Sequence, residues 1–421
     1  MYNKEVLGNG VRIVTEEIPY VHSVAIGIWV KTGSRNEPDN LHGVSHFIEH
    51  LLFKGTAKRS AKEIAEALDA VGGQLNAFTA KEYTCYYAKV LWEHLDLAID
   101  VLTDMFFNAR MDSRQIEKEK KVVLEEIKMY EDSPDELVHD LFAKTVWDGH
   151  PLGRAILGTE GSVKGLSREE IINYYHQQYR AENVVVAVAG RIKHEEVVEK
   201  LAPIFSNTRS LSLVDQLEEP LPSARMIFEK KDTEQVHICL GVPGLPQDHR
   251  EIYTMYVLNS LLGGGLSSRL FQEVREERGL AYSIYTYHST YLDSGLFTVY
   301  AATSPSNTSE LLQVILQEIA RLKEYGITEE ELRRTKDQIK GNLLLGMENV
   351  TSRMSRLGKS EVCYGRVITA EEIVERIAKV EKIQVEELAK NLFDPDKFSL
   401  TCIGPESPTI NLPHLLKKIG V

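Results

Sequence analysis

Gly43-Val44-Ser45-His46-Phe47-Ile48-Glu49-His50-Leu51-Leu52-Phe53 is the stretch on which the reading of this chain turns. On a helix, side chains four apart lie one above the other, so His46 and His50 point the same way. Two imidazoles so placed can share a zinc ion, with Zn–N distances of about 2.0–2.1 Å. Glu49 falls beside such a metal without binding it, where a general base stands to take a proton from metal-activated water. The spacing His-x-x-Glu-His inverts the commoner His-Glu-x-x-His. The plainer reading is an amphipathic helix, with Val44, Phe47, Ile48, Leu51 and Leu52 as its apolar stripe. A third ligand decides between the two.

Asp112-Ser113-Arg114-Gln115 has the form of a helix start, an acidic cap followed three residues later by Gln. Ile116, Val123, Leu124 and Ile127 then recur at helical spacing, which predicts a long helix. Glu119 and Glu126 lie seven apart, two turns along one stripe of it. Catalytic zinc takes three protein ligands, and two His with one Glu is an established set. Glu126 is the candidate third ligand, and Glu119 is placed one layer out, polarising a ligand or holding water.

These residues carry a family resemblance. A His-x-x-Glu-His helix, followed 76 residues after its second histidine by the Glu of Val-x-x-Glu-Glu-Ile, resembles the pitrilysin, insulysin and mitochondrial processing peptidase family of inverzincins. The resemblance implies that His46, His50 and Glu126 bind zinc, that Glu49 is the base and that Glu119 assists. Gly73-Gln74-Leu75-Asn76-Ala77-Phe78-Thr79-Ala80 also resembles the family's edge strand, implying that Asn76 and Ala77 hydrogen-bond an extended peptide. Adding a strand to a free edge reads backbone rather than side chains. In the second half, Gly263-Gly264-Gly265-Leu266-Ser267-Ser268 lacks the Lys-Ser/Thr ending of a phosphate loop. It reads as a turn before a helix capped by Ser267 or Ser268 and closed by Gly279. Arg275 on that helix and Tyr282 beyond it resemble the pair that contacts the scissile carbonyl in the family. Guanidinium and phenol both supply donors to a developing oxyanion.

The chain has 421 residues, 43% hydrophobic and 26% charged, enough for two soluble globular domains. A formal net charge of −13 argues against nucleic acid and anionic membranes as partners. No segment has the apolar length of a signal peptide or a membrane span. Cys85, Cys239, Cys363 and Cys402 are scattered without a Cys-x-x-Cys pair and read as reduced, so a cytoplasmic location is expected.

The chain also reads as a diverged duplication. Leu166 to Gly190 matches Val380 to Gly404 at an offset of 214, Asp112 and Ile116 match Thr328 and Leu332 at 216, and Leu51-Leu52 falls on Leu261-Leu262 at 210. The expected domains are 1–210, carrying zinc, and 229–421, metal-free, joined by a linker over 211–228. Strands over Val24–Val30, Tyr83–Val90 and Val184–Ala189 beside long helices make the class α+β. His46, Glu49 and His50 fall opposite Tyr256, Asn259 and Ser260, and Glu126 opposite Asn342, so one zinc per chain is expected. The resemblance implies two homologous domains forming half of a clamshell. In the family the Arg-Tyr pair comes from the opposite half. The expectation is therefore a homodimer with a composite site, cutting unfolded peptides in a closable chamber. The rival reading, a non-catalytic binding or assembly subunit, is disfavoured because all five zinc-site positions are intact.

Overall fold

The computed structural model describes residues 2–210, 217–406 and 411–419. The chain forms two compact units, one of Met1–Lys128, Arg154–Leu217 and Leu345–Ile368, the other of Met129–Gly153, Glu218–Leu344 and Thr369–Val421.

The first unit is built on a six-stranded sheet of β1 (Tyr2–Val6), β2 (Arg12–Glu17), β3 (Ser23–Val30), β4 (Gln74–Thr79), β5 (Thr84–Leu91) and β6 (Val184–Gly190). Its order is β1-β2-β6-β3-β5-β4, with β2 and β6 parallel and the other neighbours antiparallel. β3 and β6 are continuous apolar runs because both of their faces are covered. Val24, Ile26, Ile28 and Val30 face a core shared with helices α1 (Val44–Leu52), α2 (Ala61–Asp69), α3 (Leu95–Asn108) and α4 (Ser113–Glu131). Ala25 and Trp29 face the helix Val350–Tyr364 through Met354 and Leu357. That helix lies close: a Cβ on Gly27 would come within 2.5 Å of Met354 Sδ.

The second unit carries a five-stranded sheet of β7 (Met226–Lys230), β8 (Val236–Pro243), β9 (Ala281–Thr290), β10 (Gly295–Thr303) and β11 (Ser399–Gly404), in the order β7-β11-β8-β10-β9. Strand for strand this repeats β2-β6-β3-β5-β4, with the same parallel pair and the same antiparallel neighbours. One face packs on Ile252–Gly263, Thr308–Tyr325 and Lys382–Leu392. The other is covered by α5 (Pro134–Val146), whose Val138, Phe142 and Val146 meet Cys239, Leu296, Tyr300 and Ile403.

The three expected strands form, each within a residue of its expected ends. Of the stretch expected to link the halves, residues 211–216 lie outside the described residues, and Met226 already begins β7. β7 is half-exposed with no alternation of burial, which is why its sequence carries no strand signal. Each unit takes one helix from the other half of the sequence, an exchange that no local pattern announces. The four cysteines are free, three of them buried.

Candidate metal centre

The centre begins with how α1 starts. Gly43, its N-cap, has φ +91°, and its own residue type offers no side chain to satisfy the free N–H groups of the first turn. Glu37 does this instead: its carboxylate accepts from Gly43 N–H at 2.7 Å and from Ser45 N–H at 2.8 Å. Val44, Phe47, Ile48, Leu51 and Leu52 are buried against the sheet. The amphipathic reading of the motif therefore holds: the stripe seats the helix, and the neighbouring face carries His46, Glu49 and His50.

α4 brings the carboxylates. Gln115 N–H donates to Asp112 Oδ1 at 3.0 Å, the expected cap. Glu126 Oε1 lies 3.7 Å from His46 Nε2, and Glu126 Oε2 lies 3.4 Å from His50 Nε2. One ligand atom from each of the three residues falls within 4.8 Å of the others. Ligand atoms about 2.1 Å from a tetrahedral ion stand roughly 3.4 Å apart, near the two His–Glu separations, and two imidazoles with one carboxylate are a donor set that fits zinc. Glu119, 1% exposed, accepts from or shares a proton with His50 Nδ1 at 2.8 Å and pairs with Lys54 Nζ at 3.0 Å. This second carboxylate fixes the His50 ring with Nε2 toward Glu126. Among the described residues His46 has no such partner: its Nδ1 is buried without a hydrogen bond.

Charge separates the two histidines. Burial, reinforced by the nearby His50, pushes the His46 imidazole down to about 4, so it is neutral. Burial works the same way on His50, but its contacts with Glu119 and Glu126 outweigh it and lift that ring to about 9. Glu126 is held below the usual carboxylate range chiefly by its hydrogen bond to His50. Glu119 is also held low, because the contacts with His50 and Lys54 overcome its burial. Burial raises Glu49, while the Thr79 hydroxyl, donating to Glu49 Oε2 at 2.5 Å, pulls the other way. A carboxyl shifted upward beside a trio that could hold a metal is suited to take and return a proton.

β4 is the edge of its sheet and runs beside α1. Asn76 sits on its exposed face, and its Oδ1 accepts from Ala77 N–H at 2.8 Å. Arg275 and Tyr282 lie in the other compact unit. The Arg275 guanidinium stacks 4.3 Å over the Tyr282 ring, and its Nη1 donates to the Tyr282 carbonyl at 2.9 Å. Tyr282 is 74% exposed. The segment Phe271–Glu277 is a π-helix rather than the expected α-helix. Ser268 donates its hydroxyl to Gly265 O instead of capping that helix. In the second half, Tyr256 packs against the core and Ser260 Oγ donates to Gln338 Oε1 at 3.2 Å. Among the described residues, His46, His50 and Glu126 form the one group of this kind.

Sequence reasoning missed Thr79, Lys54 and Glu37. Thr79 had a detectable signal, a polar residue on the inward side of an alternating strand. Lys54 lies past the end of α1, and Glu37 sits in a loop, so neither carries a periodicity.

No helix among the described residues is long and apolar enough to cross a membrane. Two family models match the chain: insulinase (peptidase family M16) over residues 12–160, and the peptidase M16 inactive domain over residues 165–339. An uncharacterised zinc protease of Bacillus subtilis (strain 168), YmxG, is 48% identical over 397 residues, covering 94% of this chain and 97% of the relative. An uncharacterised zinc protease of Streptomyces coelicolor is 44% identical over 409 residues, covering 95% of this chain and 88% of the relative. Among solved structures, a protease from Helicobacter pylori has a TM-score of 0.90 at 22% identity, covering 96% of this chain and 99% of the other. A peptidase M16 inactive domain from Pseudomonas fluorescens gives 0.90 at 19% identity, covering 97% and 99%.

Proposed function

The chain belongs to the insulinase family of peptidases, M16, and is a zinc metallopeptidase; on that premise we propose that it is an endopeptidase for unfolded peptides, with His46, His50 and Glu126 holding zinc and Glu49 as general base. The observation that carries this reading is one short helix presenting Glu49 between two imidazoles whose ring nitrogens converge with Glu126. When bound, zinc supplies Lewis-acid polarisation of the scissile carbonyl and makes water acidic enough to lose a proton near neutral pH. Glu49 takes that proton as the water oxygen attacks the carbonyl carbon, and returns it to the amine nitrogen as the C–N bond breaks. Glu119 keeps the His50 ring oriented throughout. Asn76 and Ala77 on β4 align the peptide backbone by strand addition.

Arg275 and Tyr282 donate to the carbonyl oxygen as its negative charge grows. In this proposal they come from a second copy of the chain, in a cytoplasmic homodimer whose two copies enclose a closable chamber. The exposed Tyr282 ring, with the half-buried Arg275 stacked over it, supports a role in contacting another molecule.

Glu49→Gln tests the base: turnover of a quenched peptide falls by about three orders of magnitude or more, while bound zinc stays at one per chain. Normal cleavage by that variant overturns the mechanism. Mixing Arg275→Ala chains with Glu49→Gln chains tests the dimer. Activity returns in the mixture if the pair acts in trans, and stays absent if each chain works alone.

A further inference from the structure

The two imidazoles of the centre are held in place by different means. Metal-binding histidines ordinarily give their second ring nitrogen to a carboxylate, a carbonyl or water, which fixes the ring. His50 follows that rule through Glu119 at 2.8 Å. His46 does not, because its Nδ1 is buried with no hydrogen-bond partner among the described residues. The position of its ring therefore depends on the backbone that carries it, the third residue of α1. That backbone is fixed from outside the helix by Glu37, 3% exposed, whose two carboxylate oxygens each accept one first-turn N–H. The loop bearing Glu37 is itself tied down, since Arg154 Nη1 donates to its carbonyl at 3.3 Å. The helix start has nowhere to slide: a Cβ on Gly43 would come within 2.8 Å of Leu157 O. Ser45 adds a lateral tie, its hydroxyl 3.0 Å from Tyr174 OH.

We propose that Glu37 is a positioning residue of the zinc centre, setting His46 through the first turn of α1 as Glu119 sets His50 through its ring. Burying a carboxylate beneath a helix is costly, and the two amide bonds and the positive end of the helix offset part of that cost. The inference rests on His46 being a zinc ligand, so the test includes a variant that probes that reading separately.

Zinc affinity is measured by competition with a chromophoric chelator on folded full-length protein, and Co²⁺ is substituted so that its visible absorption reports the coordination geometry. Glu37→Ala leaves two N–H groups without acceptors, and zinc affinity falls 10- to 100-fold, in the range seen for lost outer partners of metal ligands. Glu37→Gln keeps one acceptor and turns an amide NH₂ toward the other donor; it gives a smaller loss, about tenfold, and decides the matter if the Ala variant does not fold. Both shift the Co²⁺ spectrum. Phe142→Ala, which opens the core of the other unit, lowers the melting temperature but leaves zinc affinity and the Co²⁺ spectrum unchanged. Wild-type affinity in folded Glu37→Gln, or an equal loss in Phe142→Ala, overturns the proposal. His46→Ala stands apart: if it retains zinc at wild-type affinity, the ligand assignment fails rather than the role of Glu37.

Discussion

At the scale of single residues, the centre is asymmetric in charge as well as in support. His46 is driven neutral by burial and its twin imidazole, whereas His50 between two carboxylates is lifted to about 9. Metal ligands must be unprotonated. Without metal at neutral pH, His50 holds a proton that must leave before zinc can bind, and His46 and the low-lying Glu126 hold none. Zinc uptake at pH 7 should therefore release about one proton, read by calorimetry in buffers of different ionisation enthalpy. The sign follows from the raised value: zinc affinity climbs as pH rises toward about 9 and levels off above it. Release of no proton would mean that His50 is already neutral. The residues brought together here were legible because their spacings, four from His46 to His50 on one helix and seven from Glu119 to Glu126 on another, are local. Glu37, Lys54 and Thr79 were not, because each reaches the centre only through tertiary packing.

At the scale of elements, β4 has two jobs on two faces. Asn76 points outward at the free edge, while Thr79 on the inward side donates to Glu49. The strand proposed to capture substrate thus also holds the rotamer of the proposed base. A hydrogen bond to a charged group contributes about 1.5–3 kcal/mol. Thr79→Val, which removes the hydroxyl and little else, should lower kcat by tenfold or more with KM within twofold and zinc content unchanged. Thr79→Ser should retain most of kcat, because it keeps the donor. Equal losses in the two variants would assign Thr79 to packing alone. Alternation made β4 readable in advance, as the continuous apolar runs did β3 and β6. The π-helical turn over Phe271–Glu277 could not be read, because its residues satisfy a 3.6-residue period equally well.

At the scale of the molecule, the duplication is visible twice, in short sequence matches and in two sheets with one strand order. We propose that 1–210 and 229–421 are the two copies. They are nonetheless not the two folded units, because each sheet is covered on one face by a helix from the other copy. An amphipathic helix reads the same whichever sheet it covers, so this exchange was hidden in the sequence. It makes a prediction about folding. A fragment of 1–210 lacks Val350, Met354, Leu357 and Val362, which bury against Trp29, Cys85 and Ala187. At about 1.5–3 kcal/mol for each buried side chain, the loss is roughly 6–12 kcal/mol, comparable with the whole stability of a typical domain at about 5–15 kcal/mol. Residues 229–421 alone likewise lack Val138, Phe142 and Trp147, which bury in the cluster on the second face. Neither fragment should melt cooperatively by itself, and 1–210 should not bind zinc with wild-type affinity although it contains all three proposed ligands. Coexpressed, the fragments should associate and recover both the cooperative transition and zinc binding. A lone 1–210 fragment that melts sharply and holds zinc as tightly as the intact chain would show that the borrowed helix is dispensable to the centre.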